Sequence, residues 1–161
     1  MHCASFFGIV EIVAPLLQIQ RYDTSNWCEL GNSPLAWAAR NGHKEVVEML
    51  VGWEGVDPDE LNNYGQTPLS YAAGYGREAV VDILLGRPEV NLDRMDNLGR
   101  TQLSYAIGYG HEGVVMKLLG REGVSPDRID NLGRTLFSHA SRHGQEMMVK
   151  ILLGWEGVDP D

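Results

Sequence analysis

Apolar residues recur along this chain in short runs with helical spacing, separated by segments rich in glycine, aspartate and asparagine. In EAVVDILL, residues 78–85, the apolar residues fall on one side of a helix and the two acidic residues on the other. The preceding run begins with Thr67 and Pro68, which are typical of an N-cap and a first helical position, and Gly76 ends it. The turn-rich segment NLDRMDNLGRT follows, so the pattern predicts helix, turn, helix and then an extended hairpin.

This unit recurs with a period of 34 residues. The octapeptide GWEGVDPD occupies residues 52–59 and again 154–161, an offset of 102 residues or three times 34. Columns with this period keep their residue type, and one of them comprises Gly8, Gly42, Gly76, Gly110 and Gly144. Helices of about eight residues are too short to be stable alone, since isolated helices need roughly 12–15 residues. The units must therefore stack, and the sequence predicts an all-α solenoid.

The register divides the chain into about five units within a single domain, residues 1–161. The first unit, 1–32, lacks its N-cap, and the last, 135–161, stops before its hairpin is complete. The three complete units are 33–66, 67–100 and 101–134. We therefore expect the chain to be a segment of a longer array.

The helix pairs resemble a known family. The runs SPLAWAARNGHKEVVEMLV, TPLSYAAGYGREAVVDILL and TQLSYAIGYGHEGVVMKLL are similar to the T-P-L-H-x-A-A-x-x-G-H-x-E-V-V-x-x-L-L core of the ankyrin repeat. Alanine or serine replaces the family's usual first histidine, and the period is 34 rather than the usual ~33 residues. The resemblance implies stacked helix-turn-helix units with connecting β-hairpin loops.

A narrower resemblance concerns the phrases VDPD, DNLGRT and LSYA. With these spacings they are similar to ankyrin arrays of filamentous fungi, which often follow an NTP-binding NACHT domain in NLR-type immune or incompatibility receptors. This resemblance implies that the chain is the recognition part of a larger receptor.

The net charge and the cysteine content limit the classes of binding partner and the cellular compartment that the sequence predicts. Thirteen basic and 22 acidic residues give a formal net charge of −9, which repels nucleic acid and anionic lipid. Two cysteines in a chain of this length fit a reducing compartment. The apolar stretch near the N-terminus is interrupted well short of the roughly 18 residues of a membrane span. We therefore predict a cytoplasmic location, with the nucleus as the alternative, and neither a nucleic-acid nor a membrane partner.

Catalytic and cofactor sites are not indicated by the residue pattern. The five histidines are interpreted as structural or solvent-facing, and His43 and His111 occupy a histidine position of the ankyrin pattern. The hairpin aspartates lack the alternate spacing and closing glutamate of a calcium loop. Ser104 and Ser138 belong to a repeating structural column, and there is no glycine-rich phosphate loop. The sequence predicts a protein that is not an enzyme and that uses no metal or other cofactor.

Positions whose chemistry changes from copy to copy are free of the stacking role. In proteins with the ankyrin pattern such positions line the concave face and the hairpin tips, so the resemblance implies that a protein partner is bound there. Aromatic residues and arginine, which are enriched in interface hot spots, are frequent among them. The predicted partner-binding residues are Phe6, Phe7, Arg40, Asn41, Tyr64, Gln66, Tyr75, Arg100, Tyr109, Arg134, Arg142 and His143.

Three hypotheses of function remain open, of which the last is an enzyme, or a regulatory appendage to one, whose active site would lie in a neighbouring domain. The first is a non-catalytic protein-binding module, whose concave arginines and acidic second helices indicate a relatively basic groove for an acidic partner. The alternative is a structural spacer or scaffold segment that holds flanking domains of a larger protein. End-to-end self-association of the array is a further expectation.

Overall fold

The computed structural model describes residues 30–155 together with Gly8 and Glu11, and residues 30–155 contain eight α-helices in four consecutive pairs. None of these helices has the length and hydrophobicity needed to span a membrane. The predicted all-α fold is confirmed. The helices are α1 Pro34–Asn41, α2 Lys44–Val51, α3 Pro68–Gly74, α4 Glu78–Leu85, α5 Gln102–Tyr109, α6 Glu112–Leu119, α7 Leu136–Arg142 and α8 Glu146–Leu153.

A hydroxyl side chain starts the first helix of each pair. Thr67 Oγ1 accepts a hydrogen bond from the backbone N–H of Ser70 at 3.1 Å. Such a bond satisfies one of the donors that a helix N-terminus leaves unpaired, so the hydroxyl fixes the residue at which the helix begins. The equivalent N-caps are Ser33, Thr101 and Thr135.

The core lies between the two helices of each pair and between neighbouring pairs. Leu69, Val81 and Leu84 are fully buried in it. Burying a leucine or valine side chain contributes roughly 1.5–3 kcal/mol, so stacking supplies the stability that a single pair lacks. The counterparts of these residues one period later are equally buried, namely Leu103, Val115 and Leu118.

The stack curves toward the first helices of the pairs. Successive first helices contact each other more extensively than successive second helices do. Small side chains permit this close approach, since Ala38, Ala72 and Ala106 are completely buried on α1, α3 and α5. The face formed by the first helices is therefore concave.

The loops between pairs turn back on themselves as predicted, but residues 30–155 contain no β-strand. In one loop the Asp96 N–H donates to Arg100 O at 3.0 Å and the Gly99 N–H donates to Asp96 O at 2.9 Å. The turn closes after a single bond between its two arms, which is too short for a strand pair.

Neighbouring hairpin loops are hydrogen-bonded to each other through asparagine residues. Asn97 donates from its backbone N to Tyr64 O at 2.9 Å and from Nδ2 to Asn63 O at 3.0 Å. One period later, Asn131 makes the same two bonds, to Leu98 O at 3.0 Å and to Asn97 O at 3.1 Å. In each case the later loop supplies the donor and the earlier loop the acceptor.

Ion pairs between neighbouring units follow the same direction. The basic partner belongs to the later unit in each of them. An exposed pair such as that of Lys117 with Asp82 contributes only about 0–1 kcal/mol, whereas the Asp59 side chain in the pair with Arg94 is only 5% exposed. The pairs are Arg94–Asp59, Arg128–Asp93 and Lys117–Asp82, with N–O distances of 2.7, 2.7 and 2.8 Å.

Candidate functional site: the concave face

The concave face comprises the exposed side of α1, α3, α5 and α7 and the hairpin loops that border it. Ten of the 12 predicted partner-binding residues belong to it, whereas Phe6 and Phe7 lie outside the described residues. Six stand at the C-terminal ends of the first helices, namely Arg40, Asn41, Tyr75, Tyr109, Arg142 and His143. The other four lie in the hairpin loops, namely Tyr64, Gln66, Arg100 and Arg134.

Three tyrosines of this group are widely exposed. Tyr64, Tyr75 and Tyr109 present 53%, 43% and 58% of their surface to solvent. The Tyr75 ring lies beside Tyr71 with centroids 6.4 Å apart, and the Tyr109 ring lies beside His143 at 6.3 Å. Rings that are already held by neighbouring rings have little conformational freedom to lose on binding.

Arg100 and Arg134 are each paired with an aspartate four residues before them. Arg100 donates from Nε and Nη2 to Asp96 Oδ2 at 2.9 and 2.8 Å. Arg134 donates in the same way to Asp130 Oδ2, with both distances 2.7 Å. Both aspartate side chains are only 2% exposed. The positive charge of these two arginines is therefore largely balanced within the chain, and the groove is less basic than the arginine count indicates.

The same aspartates fasten the hairpin to the helix that follows it. Asp96 Oδ1 accepts from the backbone N–H of Leu98 and of Arg100 at 2.8 and 2.9 Å. Asp96 Oδ2 also accepts from the Tyr105 hydroxyl at 2.7 Å. Asp130 accepts the equivalent backbone bonds in the next loop. A single buried carboxylate thus fixes both the turn and its position on α5 or α7.

One period earlier the equivalent residues are Asn62, Gln66 and Tyr71, which are all uncharged. Here the first residue donates to the second, whereas Asp96 accepts from Arg100. Asn62 Nδ2 donates to Gln66 Oε1 at 3.1 Å and to the Tyr71 hydroxyl at 3.2 Å. Asn62 Oδ1 accepts from the backbone N–H of Tyr64 and Gln66, both at 2.9 Å. We name these clusters the hairpin joints, which consist of residues 62, 66 and 71, residues 96, 100 and 105, and residues 130, 134 and 139. The same joint can therefore be formed either by a pair of amides or by a carboxylate and a guanidinium.

The joints shift the pKa values of their members. Burial alone would raise the pKa of Asp130, but hydrogen bonds from the Arg134 side chain and from the hairpin backbone outweigh it and lower the pKa to about 2. Burial lowers the pKa of His139, and the charge of Arg134 acts in the same direction against the opposite effect of Asp130. Burial and the hydrogen bond to Asp96 raise the pKa of Tyr105. At neutral pH the Asp130 carboxylate is charged and the His139 imidazole is neutral.

Replacing His139 with tyrosine tests the last of these joints, because the preceding joint already contains a tyrosine. The pKa of His139 lies below its ordinary 6.5 in the folded chain. The contribution of the neutral imidazole to stability is therefore full above pH 6.5 and is lost as the pH falls below 6.5 toward the lowered pKa. The imidazole of the unfolded chain has the ordinary pKa of 6.5, so the stability lost at pH 5 is at most about 2 kcal/mol.

We expect the parent chain to lose more stability than H139Y when urea unfolding is compared at pH 7 and pH 5. All other titrating groups are common to the two proteins, so they cancel in the comparison. Equal losses would show that the pKa of His139 does not change on folding.

Two adjoining cavities open on the concave face. The aromatic cavity, of about 500 Å³, is lined by residues that include Tyr71, Gly74 and Tyr75. The cationic cavity, of about 240 Å³, is lined by residues that include Gly108, Arg134, Arg142 and His143. Two residues border both cavities and separate them, Tyr105 and Tyr109.

The arginines at the two ends of the face differ in their surroundings. The Arg40 guanidinium stands 5.2 Å from the Trp37 ring centroid and 4.8 Å from that of Tyr75. Asn41 donates from Nδ2 to Trp37 O at 3.0 Å, so this predicted contact residue caps its own helix. The Arg142 side chain is exposed, and no residue in the range 30–155 forms a hydrogen bond or ion pair with it. Its guanidinium donors are available to a ligand.

The repeated architecture agrees with a comparison to known families. A family model described as ankyrin repeats (3 copies) matches residues 1–96 and 88–161. The chain belongs to the ankyrin-repeat family. Comparison with the curated proteins gave no match. Ankyrin repeats are typically protein–protein interaction modules, and the family match identifies no catalytic family.

One pair of histidines in this ankyrin-repeat chain has a metal-ligand spacing that the sequence interpretation overlooked. His139 and His143 stand four residues apart. His139 Nε2 lies 3.2 Å from Asp130 Oδ2, whereas the His143 ring lies against Tyr109. Within the described part of the chain, no group of three His, Cys, Asp or Glu side chains is arranged to hold a metal ion.

The ankyrin hairpin tips also carry an exposed apolar strip that was not among the predicted site residues. Leu30, Leu98 and Leu132 are 42%, 47% and 68% exposed and occupy the column of Tyr64. The sequence does contain a signal for this strip, because an apolar residue recurs at the same place in every hairpin within an otherwise polar turn. The strip extends the candidate surface from the concave face to the tips.

Proposed function

We propose that this ankyrin-repeat chain is a non-catalytic module that binds a protein partner through its concave face and hairpin tips. The observation that carries the proposal is the pair Tyr75 and Tyr109, which stand exposed on adjacent first helices with cavities on either side of Tyr109. Exposed aromatic residues on a rigid surface are typical of binding hot spots. The stacked helices present them without rearrangement.

Eight of the ten described residues that the sequence predicts divide into two groups under this proposal, whereas Arg40 and Asn41 are half-buried and belong to neither. Gln66, Arg100 and Arg134 act mainly by holding the hairpin tips in place, because the hairpin joints occupy their polar atoms. The exposed residues make the contacts, and among those described they are Tyr64, Tyr75, Tyr109, Arg142 and His143.

Affinity capture from a soluble lysate of the source organism tests the proposal. The test variant replaces Tyr75, Tyr109 and Arg142 with serine, and the control variant replaces Met116 and Met147 with serine. These methionines are 48% and 49% exposed on α6 and α8, away from the concave face. All five positions are exposed, so we expect both variants to unfold within about 1 kcal/mol of the parent.

We expect the parent and the control to retain the same protein and the concave variant to lose at least nine-tenths of it. Retention by all three chains, or by none, would contradict the proposal and favour the structural spacer. Sedimentation velocity of the parent alone shows whether the array also self-associates end to end.

We further propose that the array is the recognition part of a larger NLR-type receptor in the cytoplasm of a filamentous fungus. The support is the resemblance of VDPD, DNLGRT and LSYA to fungal ankyrin arrays. Full-length transcript sequencing decides this point, since an NTP-binding domain is expected in the same reading frame. A complete transcript that encodes no such domain would contradict it.

A further inference from the structure

The two cavities of the concave face present positive charge to the solvent, although the chain as a whole is acidic. The residues that line them include four arginines and three histidines but no aspartate or glutamate. The formal net charge of the chain is −9. The carboxylates nearest to this surface, Asp96 and Asp130, are buried in the hairpin joints. An approaching partner therefore meets cations and aromatic rings, whereas the carboxylates lie beneath them.

Arg142 is the arginine of this lining best placed to bind a carboxylate. Arg100 and Arg134 already donate to aspartates, and Arg40 lies over two aromatic rings. Arg142 borders the cationic cavity, is exposed and has no partner within residues 30–155. A guanidinium binds a carboxylate through two parallel hydrogen bonds, which gives both affinity and orientation.

Glycines open the middle of the face between the two terminal arginines. Arg40, Gly74, Gly108 and Arg142 occupy one column, so the side chain is missing where the cavities lie. A Cβ at residue 74 would stand 3.4 Å from a ring carbon of Tyr105. Any longer side chain there would enter the aromatic cavity. The aromatic cavity therefore has room for an apolar side chain of a ligand.

The distance between the cavities selects the conformation of such a ligand. Helices pack about 8–10 Å apart, so equivalent points on successive units are separated by about that distance. A polyproline II segment has three residues per turn and advances about 3.1 Å per residue. Side chains three residues apart therefore point to the same side and are about 9 Å apart, whereas in a β-strand they point to opposite sides.

We propose that the concave face binds an extended acidic peptide segment that places an aromatic or long aliphatic side chain in the aromatic cavity and a carboxylate, three residues away, on Arg142. This inference rests on the proposed function and names its ligand. Among the described residues, two independent features of the face support it, a lining that contains the unpaired Arg142 side chain and no acidic residue, and the pair of glycine-opened cavities.

Selection from a displayed library of random nonapeptides tests the inference. The library is selected in parallel on the parent chain, on Arg142→Gln and on Arg121→Gln, which removes an exposed arginine on the loop after α6. A fourth selection uses Gly74→Leu, whose side chain fills the aromatic cavity. Urea unfolding first establishes that the variants are folded.

We expect peptides selected on the parent and on R121Q to carry aspartate or glutamate three residues from an aromatic or aliphatic residue, enriched at least about fivefold over the library. The acidic preference should disappear on R142Q, and the apolar preference should disappear on G74L. A synthetic peptide of the selected sequence should bind R142Q about tenfold more weakly than the parent, as expected for loss of a charge-assisted pair. Its affinity for R121Q should change less than about twofold.

The inference is overturned by peptides without an acidic residue at fixed spacing, by equal effects of R142Q and R121Q, or by the absence of any selected peptide. The capture experiment distinguishes these results from failure of the proposed function. A protein that is retained by the parent and lost by the tyrosine variant, together with a failed peptide selection, would mean that the partner docks as a folded surface.

Discussion

Asp96→Asn is expected to destabilise the chain by about 3 kcal/mol, as breaking a buried charged pair usually does. The Asp96 side chain is 2% exposed, and its Oδ2 accepts from Arg100 and from the Tyr105 hydroxyl. An asparagine amide facing Arg100 turns its own N–H bonds toward guanidinium donors. The opposite orientation places those N–H bonds against the backbone donors of Leu98 and Arg100. Urea unfolding followed by circular dichroism measures the loss.

The chain itself supplies the compensating change, because the first described joint combines Asn62 with Gln66. Asp96→Asn together with Arg100→Gln is expected to return the stability to within about 1 kcal/mol of the parent. Arg100→Gln alone removes charged donors from a buried carboxylate and is expected to cost about 1–3 kcal/mol. A double variant as unstable as the sum of the two single variants would show that the joints are not interchangeable.

Gly99→Ala is expected to separate two neighbouring hairpin loops and to lower the stability by about 3 kcal/mol. Gly99 has a φ of 76°, a left-handed conformation that costs a residue with a Cβ about 1–2 kcal/mol. The added Cβ would also stand 2.7 Å from the backbone N of Asn131. Asn131 must then move, and its bonds to Leu98 O and Asn97 O are weakened. Urea unfolding measures the total loss, and amide exchange of Asn131 reports the loosened contact.

Alanine substitutions at two matched glycines distinguish the cost of the left-handed backbone conformation from the loss of contact between neighbouring loops. Gly133 has a φ of 73°, and no described atom lies within 4 Å of a Cβ built there. We expect Gly133→Ala to lower the stability only by the cost of the left-handed conformation, about 1–2 kcal/mol. Gly65→Ala should resemble Gly99→Ala, because its Cβ would stand 2.9 Å from Asn97 N. Equal effects at all three positions would mean that contact between the loops contributes nothing.

Helices and their ends were predictable because their determinants are local. Thr67 caps α3 and Pro68 occupies its first position, as the sequence indicates. The buried positions of α4 follow directly from apolar residues at helical spacing. These features depend on a few adjacent residues and repeat in every copy, so that each copy confirms the others.

The chemistry of the concave face was less predictable because it depends on contacts across the hairpin. The change from Asn62 with Gln66 to Asp96 with Arg100 is visible in the sequence. Nothing local shows that residue 105, nine positions away from Asp96, completes the same joint. Counting arginines therefore overestimated the free charge of the groove, and only the surroundings of each guanidinium distinguish Arg142 from the others.

The direction of the bonds between units has a consequence for inheritance. With the exception of the bonds from Asn62 to the Tyr71 hydroxyl and from Gln66 to the Tyr105 hydroxyl, the described bonds between units run from a later donor to an earlier acceptor. Each copy thus carries donors for the neighbour before it and acceptors for the neighbour after it. Unequal recombination that adds or removes one whole copy joins matched surfaces on both sides, in keeping with the identical DNLGRT at residues 96–101 and 130–135. Gain or loss of one copy by this route is expected to change the length of the concave face while the contacts between units are kept.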